Sequence, residues 1–466
     1  MKMSRLEELD TIDGEVFLLR PSAASQAAVA AAPANGHLPS YMQDQHIRLR
    51  RAMEREGSAD ANWLGLCFDV QGRLDVPALH RAATTWVRRH EVMWGTFRED
   101  PEDSKRPLTR HAIEPEELTL SVTPLGTYPG PEVNRVLLEH LTASVDPVDN
   151  LGYALAGIAG EDRSTIFCAL DHCYGDGFSV LLAYMELSAL YAAETGGPPA
   201  ELPEQKGYMT FAQEERAAAR RFGIDHPAMQ FWADHMMDGA GEKDGFPMDL
   251  GIAEGERFWL IPMSYDILTG EECDRLEAIA KDEQATFPSL VYASFAMAAR
   301  DLAGRSAYRF LNPVATRTSP DLLPTMGWMV NVLPIHIPVG PDDGLFDLAR
   351  VVRARFREAR VCEPVPALRV VEVMSEAFGF SVEGTHRPSI VSYLDGRMIP
   401  GQERWAADRF HGTTGQGYDD DVNVWVNRTP TELYVMCSVP QTPTAVESVD
   451  RFFTHASDLL RGALSR

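Results

Sequence analysis

The chain has 466 residues, 45% hydrophobic and 24% charged, a globular balance and a length that allows two domains or two lobes of one large fold. Lys and Arg total 43 against 68 Asp and Glu, a formal net charge of −25. So acidic a chain repels nucleic-acid phosphates and anionic lipid headgroups, which removes both from the expected partners.

Residues 15–20 are expected to form a first strand. Residues 27–36 are Ala-rich and end in Pro33-Ala34-Asn35-Gly36, a linker or a frayed helix end. Ser40 is a good N-cap for a helix running through Arg48, Arg50 and Arg51. Residues 63–70 read as a strand and Gln71-Gly72 as a turn. Asp75 then caps a helix with Pro77 in its first turn, burying Leu79, Ala82, Ala83, Trp86 and Val87 at helical spacing. That helix ends in Arg88-Arg89-His90, and residues 92–97 are expected to continue as a strand. Residues 131–144 read as helix, and 153–158 with 165–170 as a hairpin turning at Gly160-Glu161-Asp162.

The run Ser164 to Leu170 shows no alternation, so it is expected to be a strand buried on both faces. It leads into Asp171-His172-Cys173-Tyr174-Gly175-Asp176-Gly177, and residues 178–193 follow with helical apolar spacing. Gly196-Gly197-Pro198-Pro199 and Pro203 mark the expected lobe boundary. The expected organisation is an N-terminal lobe over 1–195, a linker over 196–206 and a C-terminal lobe over 207–466. In the second half, strands are expected at 257–265, 308–314, 328–337, 390–394, 422–426 and 433–439. Helices are expected at 269–281 with Thr269 as cap, at 288–302 ending by Gly304, and at 346–360. A capping box at Thr444 to Glu447 is expected to open the last helix. Both halves mix strands and helices, which makes the fold class α/β (α+β).

The stretch around His172 has two readings. In one, Asp176 simply N-caps the following helix and His172 is a satisfied loop histidine. In the other, His172 is a general base, since its ordinary pKa lies close to neutral. Gly177 would then let a substrate carbonyl approach the backbone, and the helix start would offer free N–H groups to a developing oxyanion. Spacing alone leaves both open. An extended strand would point Asp171 and His172 to opposite sides. A Cys173–His172 nucleophile pair, using Cys173 as a thioesterase would, is a third reading, although adjacent side chains rarely meet. His226 and His235 lack metal spacing and are expected on a polar helix face. Arg216, Arg220, Arg221 and the arginines of 353–360 read as solvated faces, or as local landing sites for an anionic partner. The six cysteines have no CxxC or zinc spacing and read as reduced core thiols of a cytoplasmic protein. Residues 1–10 carry no signal-like apolar core, and no stretch reaches transmembrane length without charges.

His172-Cys173-Tyr174-Gly175-Asp176-Gly177-Phe178-Ser179 resembles the HHxxxDGxS motif of nonribosomal-peptide condensation domains and their acyltransferase relatives. Other segments agree in order. Ser40-Tyr41-Met42-Gln43 resembles the family's opening Ser-x-x-Gln, and Arg89-His90-Glu91 through Phe97 resembles RHExLRTxF. Residues 285–299 resemble the helix opening the second lobe. Asn312 to Arg317 resembles a strand and turn ending in a family arginine, and Met326 to Asn331 resembles IGxFVN. Ser392 to Arg397 is closer to free-standing polyketide-associated acyltransferases.

The resemblance implies two chloramphenicol-acetyltransferase-like lobes in a V-shaped pseudo-dimer with a tunnel between them. It implies His172 and Gly177 as catalytic, Asp176 and Arg317 as a structural pair at the site, and Asp171 and Asn331 as lining residues. It implies transfer of an acyl or aminoacyl group from a phosphopantetheine thioester, on an acyl or peptidyl carrier protein or as acyl-CoA, to the hydroxyl or amine of a small molecule. The product would be an ester or amide in a specialised metabolite, such as an antibiotic, or in a complex lipid. No permanently bound cofactor or metal and a monomeric state are expected. The alternative is an inactive condensation-like module that docks a carrier protein or recruits an enzyme. The chain departs from the pattern where Asp171 stands at the motif's first histidine, where Trp94 and Gly95 replace Arg and Thr, and in the later arginine motif of peptide-forming members, which is not recognisable here and speaks against a standard peptide-elongation role.

Overall fold

A computed structural model describes residues 3–56, 63–100, 106–145, 150–238, 244–379 and 389–465. The chain divides into two compact units. One comprises Met1–Arg221, Ala315–Val330 and Glu403–Gly417; the other comprises Phe222–Val314, Asn331–Gln402 and Tyr418–Arg466. The expected linker at 196–206 therefore lies inside the first unit, as does the helix Tyr208–Ala219 after it. Side-chain anchors hold that helix there. Glu91 accepts from the Met209 N–H at 3.1 Å, and the Arg216 guanidinium lies 4.0 Å over the Tyr41 ring while bonding Asp44 at 2.8 Å. Arg216 is thus a packing residue rather than a solvated one. The Gly-Pro run marks a surface crossing, not the end of a compact body.

The first unit is built on a seven-stranded sheet. Its order is Met3–Arg5, His411–Thr414, Trp63–Gln71, Arg163–Asp171, Tyr153–Ala159, Gly14–Pro21 and Leu120–Tyr128. The apolar 164–170 run is buried throughout, with an antiparallel neighbour on each side. The expected hairpin is present, pairing Ile158 with Thr165. Asp75 caps the helix Val76–Arg89 by accepting from the Ala78 N–H at 2.8 Å, and this helix packs on Gly177–Glu194. The strand expected at 92–97 begins later. Met93 donates to the His90 carbonyl at 2.9 Å, closing a 3-10 turn over Glu91–Trp94, and the strand is Gly95–Arg98.

The second unit has a five-stranded sheet in the order Val391–Asp395, Asn423–Arg428, Glu432–Pro440, Phe258–Thr269 and Tyr418–Asp419. A two-stranded ladder pairs Ala307–Ala315 with Val330–Pro338. The apolar helix Phe287–Ala303 is capped by Thr286 and stops at Gly304, whose left-handed φ of +64° suits a residue without Cβ. The last helix opens at Pro443 with Thr442 as its cap, two residues before the expected capping box. Proline at the first helical position gives up an N–H that has no partner there anyway, which favours that start. His235 is buried rather than on a polar face. Its Nε2 meets Asp244 at 2.9 Å, and Arg309 holds the other oxygen of that carboxylate at 2.8 Å. All six cysteines are buried and reduced. Among the described residues no helix is long and apolar enough to cross a membrane.

Candidate active site

The site forms where the buried strand ends. Asp171, its last residue, accepts from the Cys173 N–H at 2.8 Å and so caps the 3-10 turn His172–Tyr174. Asp176 then caps the helix Gly177–Glu194, accepting from the Ser179 N–H at 2.8 Å and from the Ser179 hydroxyl at 2.9 Å. The capping reading of Asp176 is therefore correct, and the carboxylate does more besides. Arg317 meets it with both terminal nitrogens, at 2.6 and 3.0 Å. The Met329 N–H donates to Oδ2 at 3.1 Å. Arg317 also donates to Ser179 Oγ and to the Gly327 carbonyl, at 3.1 and 3.2 Å. Burial alone would push the Asp176 pKa up. The Arg317 charge and the N–H donors together outweigh burial and hold it below the usual carboxylate range.

This pair ties the segment 315–330 to the turn, and that segment delivers Trp328. The Trp328 ring lies against the His172 ring, with centroids 3.6 Å apart and planes tilted by 31°. Gly327 has φ +151°, and a Cβ there would fall inside the Tyr208 ring. The Tyr208 hydroxyl donates to the Trp328 carbonyl at 2.9 Å and approaches Ser40 Oγ at the same distance. The helix Tyr41–Arg55 closes another side. Ser40 and Gln43 form its capping box, and the Gln43 amide also donates to the Cys173 carbonyl at 2.7 Å. One turn on, His46 Nε2 meets Asp171 Oδ1 at 2.8 Å.

His172 Nδ1 is buried with no hydrogen-bond partner among the described residues. Burial first, and the neighbouring His46 second, lower the His172 pKa to about 4, against its own backbone carbonyl, Asp171 and Asp176. The ring is thus a neutral base at pH 7. Gly177 is exposed, and a Cβ added to it would meet nothing within 4 Å. His172, Asp171, Asp176, Gly177 and Arg317 are all brought together in the first unit. Asn331, expected to line the site, belongs to the second. Its amide donates to the Glu363 and Val365 carbonyls at 3.1 and 2.9 Å and accepts from the Ala367 N–H at 3.0 Å, clamping the start of the helix Ala367–Phe378.

The condensation-domain family model matches residues 54–376. The chain belongs to the condensation-domain family. It is 26% identical over 452 residues to the trehalose-2-sulfate acyltransferase PapA2 of Mycobacterium tuberculosis (strain ATCC 25618 / H37Rv), covering 94% of this chain and 92% of that protein. The solved PapA2 acyl transferase matches with a TM-score of 0.89 over 100% of both chains, at 22% identity. The first condensation domain of the calcium-dependent antibiotic synthetase matches with a TM-score of 0.66 and 18% identity, over 91% of this chain and 96% of that one. The chain is accordingly an acyltransferase with the mixed α/β condensation-domain fold.

In this condensation-domain enzyme the RHE segment has a scaffolding part. Arg89 and His90 both bind Glu186, at 3.0 and 2.5 Å, on the helix that starts at Gly177. Three residues of the site were not read from sequence: His46, Trp328 and Tyr208. The signal for His46 was present. Gln43, His46 and Arg50 lie at i, i+3 and i+7, a polar stripe on one helix face, and all three are buried. Elsewhere, in the second unit, Asn312, Val314, Phe356, Arg353, Arg357 and Arg360 line a cavity of about 360 Å³.

Proposed function

We propose that this acyltransferase moves an acyl group from a phosphopantetheine thioester, carried by a carrier protein or by coenzyme A, to a hydroxyl of a small polar acceptor. The ester formed belongs to a complex lipid or specialised metabolite. The observation that carries this reading is His172. It is a neutral imidazole at a strand end, with Nδ1 buried and the open backbone of Gly177 close by in the chain. PapA2, whose name gives a trehalose sulfate as its substrate, favours hydroxyl over amine. In the reaction, Nε2 of His172 takes the acceptor O–H proton as the oxygen attacks the thioester carbonyl. The Gly177 and Phe178 N–H groups, which precede the capped Ser179 N–H and have no intrahelical acceptor, receive the oxyanion. As the tetrahedral intermediate collapses the C–S bond breaks, and the proton passes from His172 to the leaving sulfur. No covalent acyl-enzyme and no bound cofactor are involved.

The experiment is direct. Carrier protein loaded with a long acyl group, or the matching acyl-CoA, is mixed with the enzyme and a panel of sugars, alcohols and amines. Intact-protein mass spectrometry then follows loss of the acyl group. Transfer to an added acceptor supports the reading. Loss to water alone, stopped by Cys173→Ser, would indicate a thioesterase. Binding without any His172-dependent transfer would indicate a docking module.

Gly177→Ala separates space from stability. Nothing lies within 4 Å of the added methyl, so the melting temperature should stay at the wild-type value. Turnover should fall by about tenfold or more, because the methyl displaces the carbonyl from its donors. Wild-type turnover in Gly177→Ala would remove the oxyanion role.

Both donors carry phosphate, and the chain is strongly acidic, so a local positive site is needed to hold them. The arginine-lined cavity of the second unit fits that need. Arg353 and Arg360 bond the Gln284 carbonyl and Glu363, while Arg357 makes no ion pair among the described residues. Arg357→Glu should raise the donor KM about tenfold at low salt and less at high salt, with kcat unchanged. A donor KM indifferent to this charge reversal would place the phosphate elsewhere.

A further inference from the structure

The position of the motif's first histidine holds Asp171, and the structure shows what accompanies it. Asp171 is fully buried, and its Oδ1 is shared by the Cys173 N–H and His46 Nε2, each at 2.8 Å. The His46 ring is 6.0 Å from the His172 ring and edge-on to Trp328 at 5.4 Å, the same indole that stacks on His172. His46 therefore reaches the site from a helix 125 residues earlier in the chain and stands beside the reacting imidazole. Arg50 on the His46 helix acts on Asp171, Cys173 and Tyr174 follow His172 on the turn, and Asp176, which also acts on His172, is paired with Arg317 of the 315–330 segment and interacts with Tyr208.

We propose that His46 and Asp171 form a positioning pair that sets the proton affinity of His172 during acyl transfer. Where the motif has one imidazole, this chain places a buried carboxylate with a second imidazole bonded to it. The Asp171 carboxylate stabilises the imidazolium formed when His172 accepts the O–H proton of the acceptor. His46 opposes it, so the imidazolium stays acidic enough to hand that proton to the leaving thiolate. The ester C–O bond forms, the thioester C–S bond breaks, and the proton moves from oxygen through His172 to sulfur. Both groups act in the directions this needs. Burial pushes the Asp171 pKa up, and His46, Arg50 and the Cys173 N–H together bring it down to about 2, so it is a carboxylate throughout the working range. Of the two, His46 lowers the His172 pKa and Asp171 raises it.

The inference rests on the transfer reaction proposed above, and its test has a readout independent of transfer. Protein labelled with ¹⁵N-histidine gives the titration of the His172 ring by NMR, assigned by its loss in His172→Ala. The pH profile of kcat/KM gives the same quantity in the reaction. The wild-type midpoint is expected near the His172 value of about 4. In His46→Gln it should rise by about one pH unit or more, because the opposing group is gone while the carboxylate stays. In Asp171→Asn, which keeps an oxygen for the Cys173 N–H, the midpoint should fall. There kcat at pH 7 should drop about tenfold or more with the donor KM unchanged. A wild-type midpoint in both variants, with only the melting temperature lowered, would make the pair structural and overturn the proposal. If His46→Gln does not fold, the Asp171→Asn titration decides alone. If otherwise wild-type His172→Ala still transfers, the reaction reading fails, while the NMR titration still judges the pair.

Discussion

His172→Ala is expected to lower turnover by about 10²–10⁴-fold, the usual contribution of a general base, without unfolding the protein. Two observations argue that the fold survives. The His172 side chain makes no hydrogen bond through Nδ1 among the described residues, so its removal leaves no new polar orphan. Its main contact is the face of Trp328 at 3.6 Å, and Trp328 is held independently through Tyr208 and the Asp176–Arg317 pair. Linkage adds a signature. His172 has a folded pKa of about 4, below the ordinary 6.5, so the unfolded chain binds its proton more readily. The stability it allows at neutral pH is therefore lost as pH falls from 6.5 through 4. The alanine variant lacks that loss, so it should gain stability relative to wild type over the same window. Melting curves at pH 7 and pH 5, beside single-turnover rates from loaded donor, check both halves. A variant with near-wild-type turnover would sink the general-base role. One with lost turnover and a collapsed fold at pH 7 would leave His172 a scaffold residue.

What was legible in the sequence was local. The caps Ser40, Asp75, Asp176 and Thr269 each bond the N–H three residues on, so pattern and contact lie within one helical turn. The buried strand and the helix after it were readable for the same reason. The Asp176–Arg317 contact came from a motif resemblance, because no local rule joins residues 141 positions apart. What stayed hidden was tertiary. The strand His411–Thr414 has four residues without apolar alternation, and its place beside Trp63–Gln71 comes from backbone pairing alone. The Gly-Pro run at 196–199 is what both a linker and a surface loop require, so composition could not separate them. His46 was hidden differently. Its stripe with Gln43 and Arg50 was visible, but a buried polar stripe acquires meaning only when its partner, here Asp171, is known.

Arg317→Ala is expected to be the most destabilising single change at the site, by about 3–5 kcal/mol, the range for leaving one member of a buried pair unpaired. Both partners are almost fully buried, with side chains 3% and 4% exposed, so solvent cannot take over from the guanidinium. The alanine leaves the Asp176 carboxylate with N–H and hydroxyl donors only, and it also releases the Thr325 and Gly327 carbonyls. Asp176→Asn alone should cost less. Its amide oxygen still caps the helix through the Ser179 N–H, and Arg317 keeps Ser179 Oγ and the Gly327 carbonyl. The double variant Asp176→Asn/Arg317→Ala should be more stable than Arg317→Ala, because it buries no unpaired charge. Acid sensitivity follows with a fixed sign. In the wild type the Asp176 pKa is depressed below 3.8, so its contribution is present above that value and is lost as pH falls through the folded pKa. Without Arg317 the main cause of the depression is gone, and acid unfolding should begin at higher pH. Activity should fall along with stability, since the 315–330 segment carries the indole that orients His172. Urea unfolding of the four proteins at pH 7 and pH 4.5 measures the cycle. A coupling free energy within about 0.5 kcal/mol of zero, the limit for independent sites, would show that the turn holds itself. The capping bonds of Asp176 to Ser179 would then suffice without the arginine.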